Sequence, residues 1–383
     1  MVFKLTGRID SNNATQVEEE LKMHLADESS GTLELNASEL SYISSAGLRV
    51  LLRVRKTCPD MRIINVNPEV YDILEMTGFT KMMTVEKGYR VVTIDDCEVI
   101  GRGAKGTIYR IDQDNVVKVY NDTDALDDIR HEREMAKLAL ILGIPTAISY
   151  DVVKVGNGYG SVFELLNARS FSQILAQEPE KMDWCVKEYV TILKKIHNTL
   201  VPSGKLPDIK EDMIARAHFL EDELPEKSWK KLLSLINAVP HDAHMIHGDY
   251  HTKNVMLQND EVLIIDMDTL SVGNPIFELS RIFNSFCGFT ELDHSIIKEF
   301  QGFDYETGRA FWHRFLTEYL DTQSEAEIQE VEDKSSLLGY TYLICRTLRK
   351  GQKTETGRAE IAYRKQRLLE LLEKTDSLVF PFR

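Results

Sequence analysis

The sequence predicts two regions of different architecture: a small α/β layer, followed by a larger α+β region that is first rich in strands and then helical. Three observations support this. Short strands alternate with amphipathic helices up to residues 86–95. Strands separated by glycine turns follow at residues 96–121, and beyond about residue 166 the periodicity is mostly helical. We therefore expect two domains.

The elements of the first region follow from local patterns. The stretch VFKLTGRI alternates like a strand, and the apolar spacing of ATQVEEELKMHL after Asn12 or Asn13 predicts a capped helix. TLELNAS and MRIINVN are predicted strands, and SAGLRVLLRVRKT between them is a predicted helix. Pro68 at the start and Gly78 at the end delimit a further helix over PEVYDILEMTG.

The second region begins with the short strands at residues 96–121. A helix is predicted from about Ala125 to Leu142, and two more strands end near Leu166. The helical remainder is interrupted by the polar stretch HGDYHTKN, residues 247–254, and by a strand pair. This order predicts a β-rich lobe followed by a helical lobe.

Composition and charge exclude several classes of protein. The 46 basic and 61 acidic side chains give a net charge of −15, which argues against nucleic-acid binding because phosphate backbones attract the opposite charge. We find no signal-peptide pattern, and the longest apolar window is too short to cross a membrane. Five scattered cysteines without metal-site spacing favour a reducing compartment, so we predict a cytoplasmic protein: Cys58, Cys97, Cys185, Cys287 and Cys345.

A glycine motif opens the second region. Gly101, Gly103 and Gly106 form a G-x-G-x-x-G pattern in IGRGAKGTIYRI. A dinucleotide-binding motif with this spacing leads into a helix. Here the residues that follow continue as a strand, which predicts a hairpin that covers phosphate groups.

A lysine and a glutamate come next in chain order. Lys118 lies in the apolar run VVKVY, where it is either an exposed edge lysine or a cation that neutralises nucleotide phosphates. Glu134 lies on the predicted helix and is expected to pair with Lys118, whereas Glu132 is expected to face elsewhere.

The stretch HGDYHTKNVMLQNDEVLIIDMD combines the residue types of a phosphoryl-transfer site. Asp249 is predicted to accept or orient the proton of an attacking hydroxyl. Asn254 and Asp266 offer the hard oxygen ligands that magnesium prefers. A polar hairpin in which these residues only support turns would explain each one singly. His247 is expected to be structural and His251 exposed.

Four features in this order resemble the aminoglycoside phosphotransferase and choline kinase branch of the protein-kinase-like superfamily: the glycine motif, Lys118, Glu134 and the stretch that begins with HGDYHTKN. HGD and IDMD mark that branch, and GNPIFELSRIF resembles its G-D-P-x-x-D-L-A segment. The resemblance implies a two-lobed kinase fold over residues 93–383, with the N-lobe at about 93–166 and the helical C-lobe at about 167–383. It also implies ATP and magnesium as cofactors, with adenine bound near Glu164 and Asn167.

The N-terminal region, residues 1–92, resembles a STAS domain of the anti-sigma-factor-antagonist type. The resemblance rests on LTGRID, LELNASELSYISSAGLRVLL and EMTGF. The family's Asp-Ser-Ser-Gly turn is here Ser44-Ser45-Ala46-Gly47, so the resemblance implies a phosphorylated serine at Ser45 and a protein partner. A simple capped helix start explains the same turn.

Three functions remain open on the sequence. The leading hypothesis is an ATP- and magnesium-dependent phosphotransferase that acts on a hydroxyl of a small molecule: an amino sugar, an amine alcohol or a sugar. In it, the STAS-like domain is a regulatory or docking module. The second is a protein kinase that acts on Ser45 or on a partner STAS domain. The third is a non-catalytic scaffold that senses nucleotide.

Overall fold

The computed structural model describes residues 2–26, 33–103, 105–350 and 354–380. Within these ranges, the strands are Val2–Ile9 (β1), Glu34–Ile43 (β2), Arg62–Val66 (β3), Val85–Lys87 (β4), Arg90–Val91 (β5), Glu98–Arg102 (β6), Gly106–Arg110 (β7), Asn115–Tyr120 (β8), Asp151–Val155 (β9), Gly158–Glu164 (β10), Arg169–Ser170 (β11), Met245–Ile246 (β12), Val255–Gln258 (β13), Glu261–Ile264 (β14) and Ser271–Val272 (β15). The α-helices are Ala14–Ala26 (α1), Ser45–Thr57 (α2), Pro68–Met76 (α3), Phe79–Met82 (α4), Leu126–Ile141 (α5), Phe171–Gln177 (α6), Met182–His197 (α7), Ile209–His218 (α8), Glu226–Ala238 (α9), Pro275–Phe283 (α10), Ser295–Gln301 (α11), Tyr305–Leu320 (α12), Glu325–Arg349 (α13) and Glu355–Lys374 (α14).

The chain divides into two compact units. The first unit contains Met1–Ile111, Val116–Ala125 and Tyr150–Val162. The second unit contains Asp112–Asn115, Leu126–Ser149 and Phe163–Arg383.

In the first unit, β1, β2, β3 and β4 form a sheet in that order, and each adjacent pair of strands is parallel. Parallel neighbours need crossover connections, which the intervening helices supply. Gly47 lets α2 approach this sheet closely, because a Cβ there would lie 2.7 Å from Ile43 and 2.8 Å from Ile9. The predicted small α/β layer is thus confirmed.

A second sheet in the first unit has the order β5-β9-β10-β8-β7-β6. The strands β6, β7 and β8 form successive antiparallel hairpins, whereas β5 joins β9 in parallel. The glycine motif lies at the β6–β7 turn, and Lys118 lies on β8. The fold therefore places the two predicted phosphate-binding elements on neighbouring strands.

The junction between these two sheets is very short. Residues 88 and 89 alone separate β4 of the first sheet from β5 of the second. A Cβ at Gly88 would lie 2.8 Å from the carbonyl oxygen of Asn65, so the backbones approach too closely for another residue. On the far side, the backbone N–H of Val92 donates to the carbonyl of Lys154 at 2.9 Å. Backbone packing therefore fixes both ends of the junction.

The second unit is mostly helical. Its core contains a cluster of fully buried aromatic side chains: Tyr189, Phe286, Phe311, Trp312 and Phe315. Helices α10, α12 and α13 pack together around this core, and β13 and β14 form the hairpin that follows the polar loop. No helix in the described part of the chain is long and apolar enough to span a membrane.

Candidate active site

The three glycines of the β6–β7 turn differ in what they contact. A Cβ at Gly106 would lie 2.3 Å from the carbonyl oxygen of Val119, so β7 and β8 require glycine there. The nearest atoms to a Cβ at Gly101 and Gly103 would lie at 3.5 and 3.8 Å, which is ordinary contact. The N–H of Gly103 donates to the carbonyl of Gly106 at 2.9 Å and closes the turn. Packing thus explains Gly106 and leaves Gly101 and Gly103 unexplained by the described neighbours.

Lys118 lies on β8 opposite Ile108 of β7. Its side chain is half-buried, and its Nζ lies 5.2 Å from the centre of the Tyr120 ring. The ring lets the aliphatic part of the lysine pack while the ammonium group keeps a favourable cation–π contact. The lysine is therefore anchored on the same sheet as the glycine turn.

Glu134 lies on α5, which belongs to the second unit. Its side chain is exposed, whereas that of Glu132 is half-buried. On the same helix, the Nε2 of His131 lies 3.0 Å from the carbonyl oxygen of Asp268, which requires an Nε2–H donor. Because residues three apart share a helix face, the face that carries His131 and Glu134 borders the segment after Asp266.

The polar stretch HGDYHTKN forms a loop between β12 and β13. The N–H of Asp249 donates to Nδ1 of the buried His247 at 3.2 Å. The side-chain amide of Asn254 donates to the carbonyl of Asp249 at 3.0 Å. These two bonds close the loop on itself. The side chain of Asp249 remains 51% exposed, so the loop holds the backbone and presents the carboxylate.

Tyr250 anchors this loop to helix α7. Its hydroxyl donates to the carbonyl of Tyr189 at 2.8 Å, and the hydroxyl of Tyr189 donates to the carbonyl of Tyr250 at 3.0 Å. Both side chains are fully buried, so the exchange satisfies four polar groups without water. Burial raises the pKa of both phenols, which keeps them neutral donors.

Two opposing effects set the ionisation of Asp249. Burial of part of the carboxyl group favours the neutral acid, but His251 and the charges of His247 and Arg281 favour the carboxylate. Together they hold the pKa of Asp249 below its ordinary value. The Nε2 of His251 lies 3.6 Å from Oδ2 of Asp249. Asp249 is therefore ionised at neutral pH.

Our prediction that His251 is exposed is wrong. The side chain is buried, and its ring packs edge-on against Phe300 with centroids 5.1 Å apart. Phe300 lies almost fifty residues further along the chain, on α11, so the sequence around His251 does not indicate that its side chain is buried. Burial fixes the imidazole beside Asp249.

Asn254 and Asp266 lie on adjacent segments. The N–H of Ile265 donates to the carbonyl of Asn254 at 2.9 Å, which brings residue 266 next to the loop. Asp266 has a positive φ of 65°, a backbone conformation that turns the chain sharply at the end of the hairpin. Asn254 is 6% exposed, and since its NH₂ group is bonded inside the loop, its amide oxygen is the remaining polar atom. An amide oxygen and a carboxylate on adjacent segments fit a magnesium ion.

Glu278 is a functional residue that the sequence analysis missed. Its carboxylate accepts from the N–H of His247 at 2.6 Å and from the N–H of Gly248 at 3.1 Å, so it holds the backbone just before Asp249. Burial opposes ionisation of this fully buried group, but His197, His247 and the Gly248 N–H hold the pKa of Glu278 below its ordinary value. Its signal in the sequence is the acidic residue of GNPIFEL, one turn into α10.

The opposite side of the loop is held by uncharged groups. The hydroxyls of Thr252 and Ser172 each donate to Oε1 of Gln301 at 2.8 Å, and all three side chains are buried. The loop is thereby connected to α6 and α11. These residues, too, carry no local sequence signal.

Glu164 and Asn167 flank the connection that follows β10. Both side chains are exposed. Between them, the N–H of Leu165 donates to the carbonyl of Asp114 at 2.6 Å, which fixes the backbone of the connection. The geometry leaves both side chains accessible to a ligand.

At the N-terminal turn, Ser44 is the cap of α2. Its side-chain oxygen accepts from the N–H groups of Ala46 and Gly47 at 3.2 and 3.5 Å. Ser45 is the first residue of the helix and its side chain is exposed. The two serines therefore differ: Ser44 has a structural contact, and Ser45 faces solvent.

The structure thus brings Asp249, Asn254 and the segment of Asp266 together within the second unit. The glycine turn and Lys118 lie together in the first unit. The ion pair between Lys118 and Glu134 stays a prediction.

Comparison with known proteins assigns the larger region. Residues 96–311, more than half of the chain, match the model of the phosphotransferase enzyme family APH. The chain belongs to this phosphotransferase family. Residues 1–91 match the STAS domain model, so the phosphotransferase carries the predicted STAS domain at its N-terminus.

Individual proteins of known name or structure are similar to parts of this chain. A curated protein of Bordetella bronchiseptica named "Putative anti-sigma factor antagonist BtrV" is 35% identical over 89 residues, which are 22% of this chain and 76% of that protein. The crystal structure of aminoglycoside phosphotransferase APH(2'')-Ib with ADP bound has a TM-score of 0.51 at 16% identity, over 80% of this chain and 99% of that one. The streptomycin–ATP complex of APH(2'')-IIa has a TM-score of 0.49 at 17% identity, over 80% and 98%. The predicted kinase-like fold of the larger region is confirmed.

Proposed function

We propose that this phosphotransferase transfers the γ-phosphoryl group of ATP to a hydroxyl of a small molecule, such as an amino sugar, an amine alcohol or a sugar. The observation that carries the proposal is the loop at residues 247–254, which fixes its own backbone and presents an ionised, half-exposed Asp249. Phosphoryl transfer depends mainly on positioning and charge neutralisation. A rigid loop with a carboxylate directed to solvent meets the first requirement.

Asp249 is proposed to orient the acceptor hydroxyl. Because its pKa is lowered, it is a weak base, and it would accept the hydroxyl proton late in a loose transition state. Asn254 and Asp266 would hold magnesium, which would neutralise charge on the phosphate oxygens of the nucleotide. We propose residues 1–92 as the STAS domain and residues 93–383 as the kinase domain, divided near residue 166.

The remaining residues are assigned to ATP. Gly101 and Gly103 would let phosphate groups approach the backbone of the β6–β7 turn, since neither position needs glycine for packing. Lys118 would neutralise phosphate oxygens, and the connection at Glu164 and Asn167 would bind adenine. The protein is proposed to act in the cytoplasm.

An Asp249→Asn variant tests the central assignment. The amide cannot accept the hydroxyl proton, so transfer to any accepted hydroxyl should fall by about 100-fold or more while ATP still binds. Asp304→Asn is the matched control, because Asp304 caps α12 through the Thr307 N–H and an asparagine keeps that bond. Turnover is measured by coupled ADP release over amino sugars, amine alcohols and sugars, and ATP binding by calorimetry. Full turnover in Asp249→Asn would refute the role of Asp249.

The partner of Lys118 is tested by a pair of variants. We propose Glu134, but Glu132 is half-buried and is the competing carboxylate on α5. Replacing the true partner with glutamine should weaken ATP affinity by about 10-fold, since one charge-assisted hydrogen bond is lost. Loss of affinity in Glu132→Gln, with Glu134→Gln unchanged, would move the assignment to Glu132.

A second function is favoured by the exposed Ser45. We propose that Ser45 is a phosphorylation site and that the STAS domain docks a protein partner. A phosphate at the first residue of α2 would meet the positive end of the helix. The full chain is incubated with ATP and magnesium and its phosphorylation mapped by mass spectrometry. Phosphate that persists in Ser45→Ala and disappears in Ser44→Ala would contradict the assignment.

A further inference from the structure

Two arginines of the second unit share one carboxylate. Asp212 on α8 accepts from Nε of Arg216 at 2.6 Å and from Nη2 of Arg281 at 3.0 Å. Both guanidinium groups also lie over the ring of Tyr342 on α13, at 4.5 Å for Arg216 and 3.7 Å for Arg281. The four side chains form one cluster, which we call the arginine pair site.

The hydrogen bonds in this site leave one guanidinium donor unsatisfied. Asp212 accepts hydrogen bonds from both arginines, and the charge of Glu278 also acts on Arg281; the side chains of Arg216 and Arg281 are 16% and 14% exposed. The buried Nε of Arg281 has no hydrogen-bond partner among the described residues. A guanidinium N–H group without an acceptor is unfavourable, and an anionic ligand would supply the acceptor.

The site lies next to the catalytic loop. Glu278, which holds the backbone of His247 and Gly248, precedes Arg281 by three residues on α10. Residues with this spacing lie one above the other on a helix face, about one turn apart. The charge of Arg281 also reaches Asp249 and helps to lower its pKa. Arg281 and the carboxylate that holds the backbone before Asp249 therefore lie on the same helix, α10.

We propose that Arg281 and Arg216 bind an anionic group, a carboxylate or a phosphate, on the small molecule whose hydroxyl is phosphorylated. This inference rests on the proposed phosphotransferase function. It narrows the acceptors to acidic members of the proposed classes: hydroxy amino acids, sugar acids or sugar phosphates. Guanidinium groups suit this role because their planar N–H donors match the oxygens of carboxylates and phosphates.

Asp212 has a role in the proposed site. Its side chain is 43% exposed, so the shared carboxylate lies at the open edge of the cluster. In the absence of an acceptor it keeps both arginines in place. An incoming anion would compete with Asp212 for the N–H groups of the two arginines or share these groups with it. Tyr342 keeps the two guanidinium planes oriented, since the ring contacts do not depend on Asp212.

The first experiment compares acceptors that differ in one anionic group. Serine is compared with ethanolamine, and glucose 6-phosphate with glucose, on the full chain with ATP and magnesium. We expect the acidic member of at least one pair to have a kcat/KM on the order of 10- to 100-fold higher, the contribution of one or two charge-assisted hydrogen bonds. The pair that responds distinguishes a carboxylate from a phosphate. An equal or higher kcat/KM for the member without the anionic group, in both pairs, would overturn the proposal.

The second experiment does not need the natural acceptor. Inorganic phosphate and acetate are titrated into the full chain saturated with ADP and magnesium, and thermal stability is followed. At least one anion should raise the Tm of the wild type and of Arg281→Lys, and raise it much less in Arg281→Gln. Arg309→Gln is the control, because Arg309 is a partly buried arginine that pairs with Glu332 on other helices. Equal shifts in all four proteins would mean that Arg281 only joins helices, and the proposal would fail.

The phosphotransferase activity and the anion subsite are distinguished by the same variants. If Asp249→Asn lowers turnover but Arg281→Gln lowers it equally for acceptors with and without the anionic group, the phosphotransferase proposal stands and the anion subsite is wrong. If no acceptor responds to Asp249→Asn but phosphate binding depends on Arg281, the subsite stands and the catalytic assignment is wrong.

Discussion

Replacing Glu278 with glutamine tests how the fold positions the catalytic loop. The carboxylate is 0% exposed and accepts two backbone N–H groups, from His247 and Gly248, directly before Asp249. Glutamine has nearly the same shape but offers one acceptor oxygen and one NH₂ donor. With its oxygen in the place of Oε2, glutamine still accepts from both N–H groups, at 2.6 and 3.2 Å, but its NH₂ group then faces the N–H of Gly248 at 3.1 Å.

The magnitude follows from these bonds. A hydrogen bond to a charged acceptor contributes about 1.5–3 kcal/mol, and a buried donor left without a partner costs about 1–3 kcal/mol. Both bonds become neutral and the Gly248 N–H faces a second donor, so the free energy of unfolding should fall by about 2–4 kcal/mol. If the loop tilts so that the Asp249 carboxylate moves by about 1 Å, turnover should fall about 100-fold at unchanged ATP affinity.

The stability difference between the wild type and Glu278→Gln should also depend on pH in a defined direction. The pKa of Glu278 is below its ordinary value in the folded protein, so its ionisation stabilises the fold above the unfolded pKa of about 4.3. That contribution is lost as the pH falls through the lower folded pKa. The difference in stability between wild type and Glu278→Gln should therefore be constant near neutral pH and shrink below about pH 4.

Glu291 provides the matched control. Burial raises the pKa of its carboxyl group although the Tyr340 hydroxyl donates to both oxygens at 2.8 Å. A carboxyl group with a raised pKa loses stabilising effect as the pH rises, so Glu291→Gln should be neutral or stabilising at pH 7. Urea unfolding and steady-state turnover are measured for both variants. Equal behaviour of the two, in stability and in turnover, would refute the reasoning about Glu278.

Three further predictions concern the backbone. Gly106→Ala should lower the free energy of unfolding by about 1–3 kcal/mol, because its Cβ would lie 2.3 Å from a carbonyl oxygen. Gly103→Ala should instead weaken ATP binding and leave the Tm unchanged. Equal losses of Tm for the two variants in thermal denaturation would contradict this prediction. Gly248→Ala should abolish turnover and lower the Tm, since φ is +84° and its Cβ would lie 2.5 Å from a carbonyl oxygen; an active, stable variant in the same assays would count against it. Val92→Pro removes the N–H group that donates to the carbonyl of Lys154, so backbone hydrogen exchange in β5 and β9 should increase. Unchanged exchange would show that this hydrogen bond does not stabilise the pairing of β5 with β9.

The sequence predicted the order of elements well because their signals are local. Alternation, helical spacing, Pro68 and Ser44 each act within a few residues, and the predicted helix SAGLRVLLRVRKT coincides with α2. The polar loop was recognised for the same reason, since Asp249 and Asn254 lie five residues apart and the loop closes on itself.

Residues that act over long sequence distances were missed. Glu278 accepts hydrogen bonds from backbone N–H groups, which nearly every residue type has, so the sequence does not mark this contact. Gln301 joins Thr252 and Ser172 from a helix far along the chain, and Phe300 on the same helix buries His251. Such contacts depend on how α6, α10 and α11 pack, which no local pattern reports.

The two-residue junction at 88 and 89 has a mechanical consequence. Because β5 is hydrogen-bonded into the sheet of the glycine turn, the chain has no slack at this point that a flexible linker would provide. A force or torque on the STAS domain would therefore be delivered to the strands that carry Gly101 and Lys118. Lengthening the junction by a few residues would remove this mechanical coupling without altering either sheet.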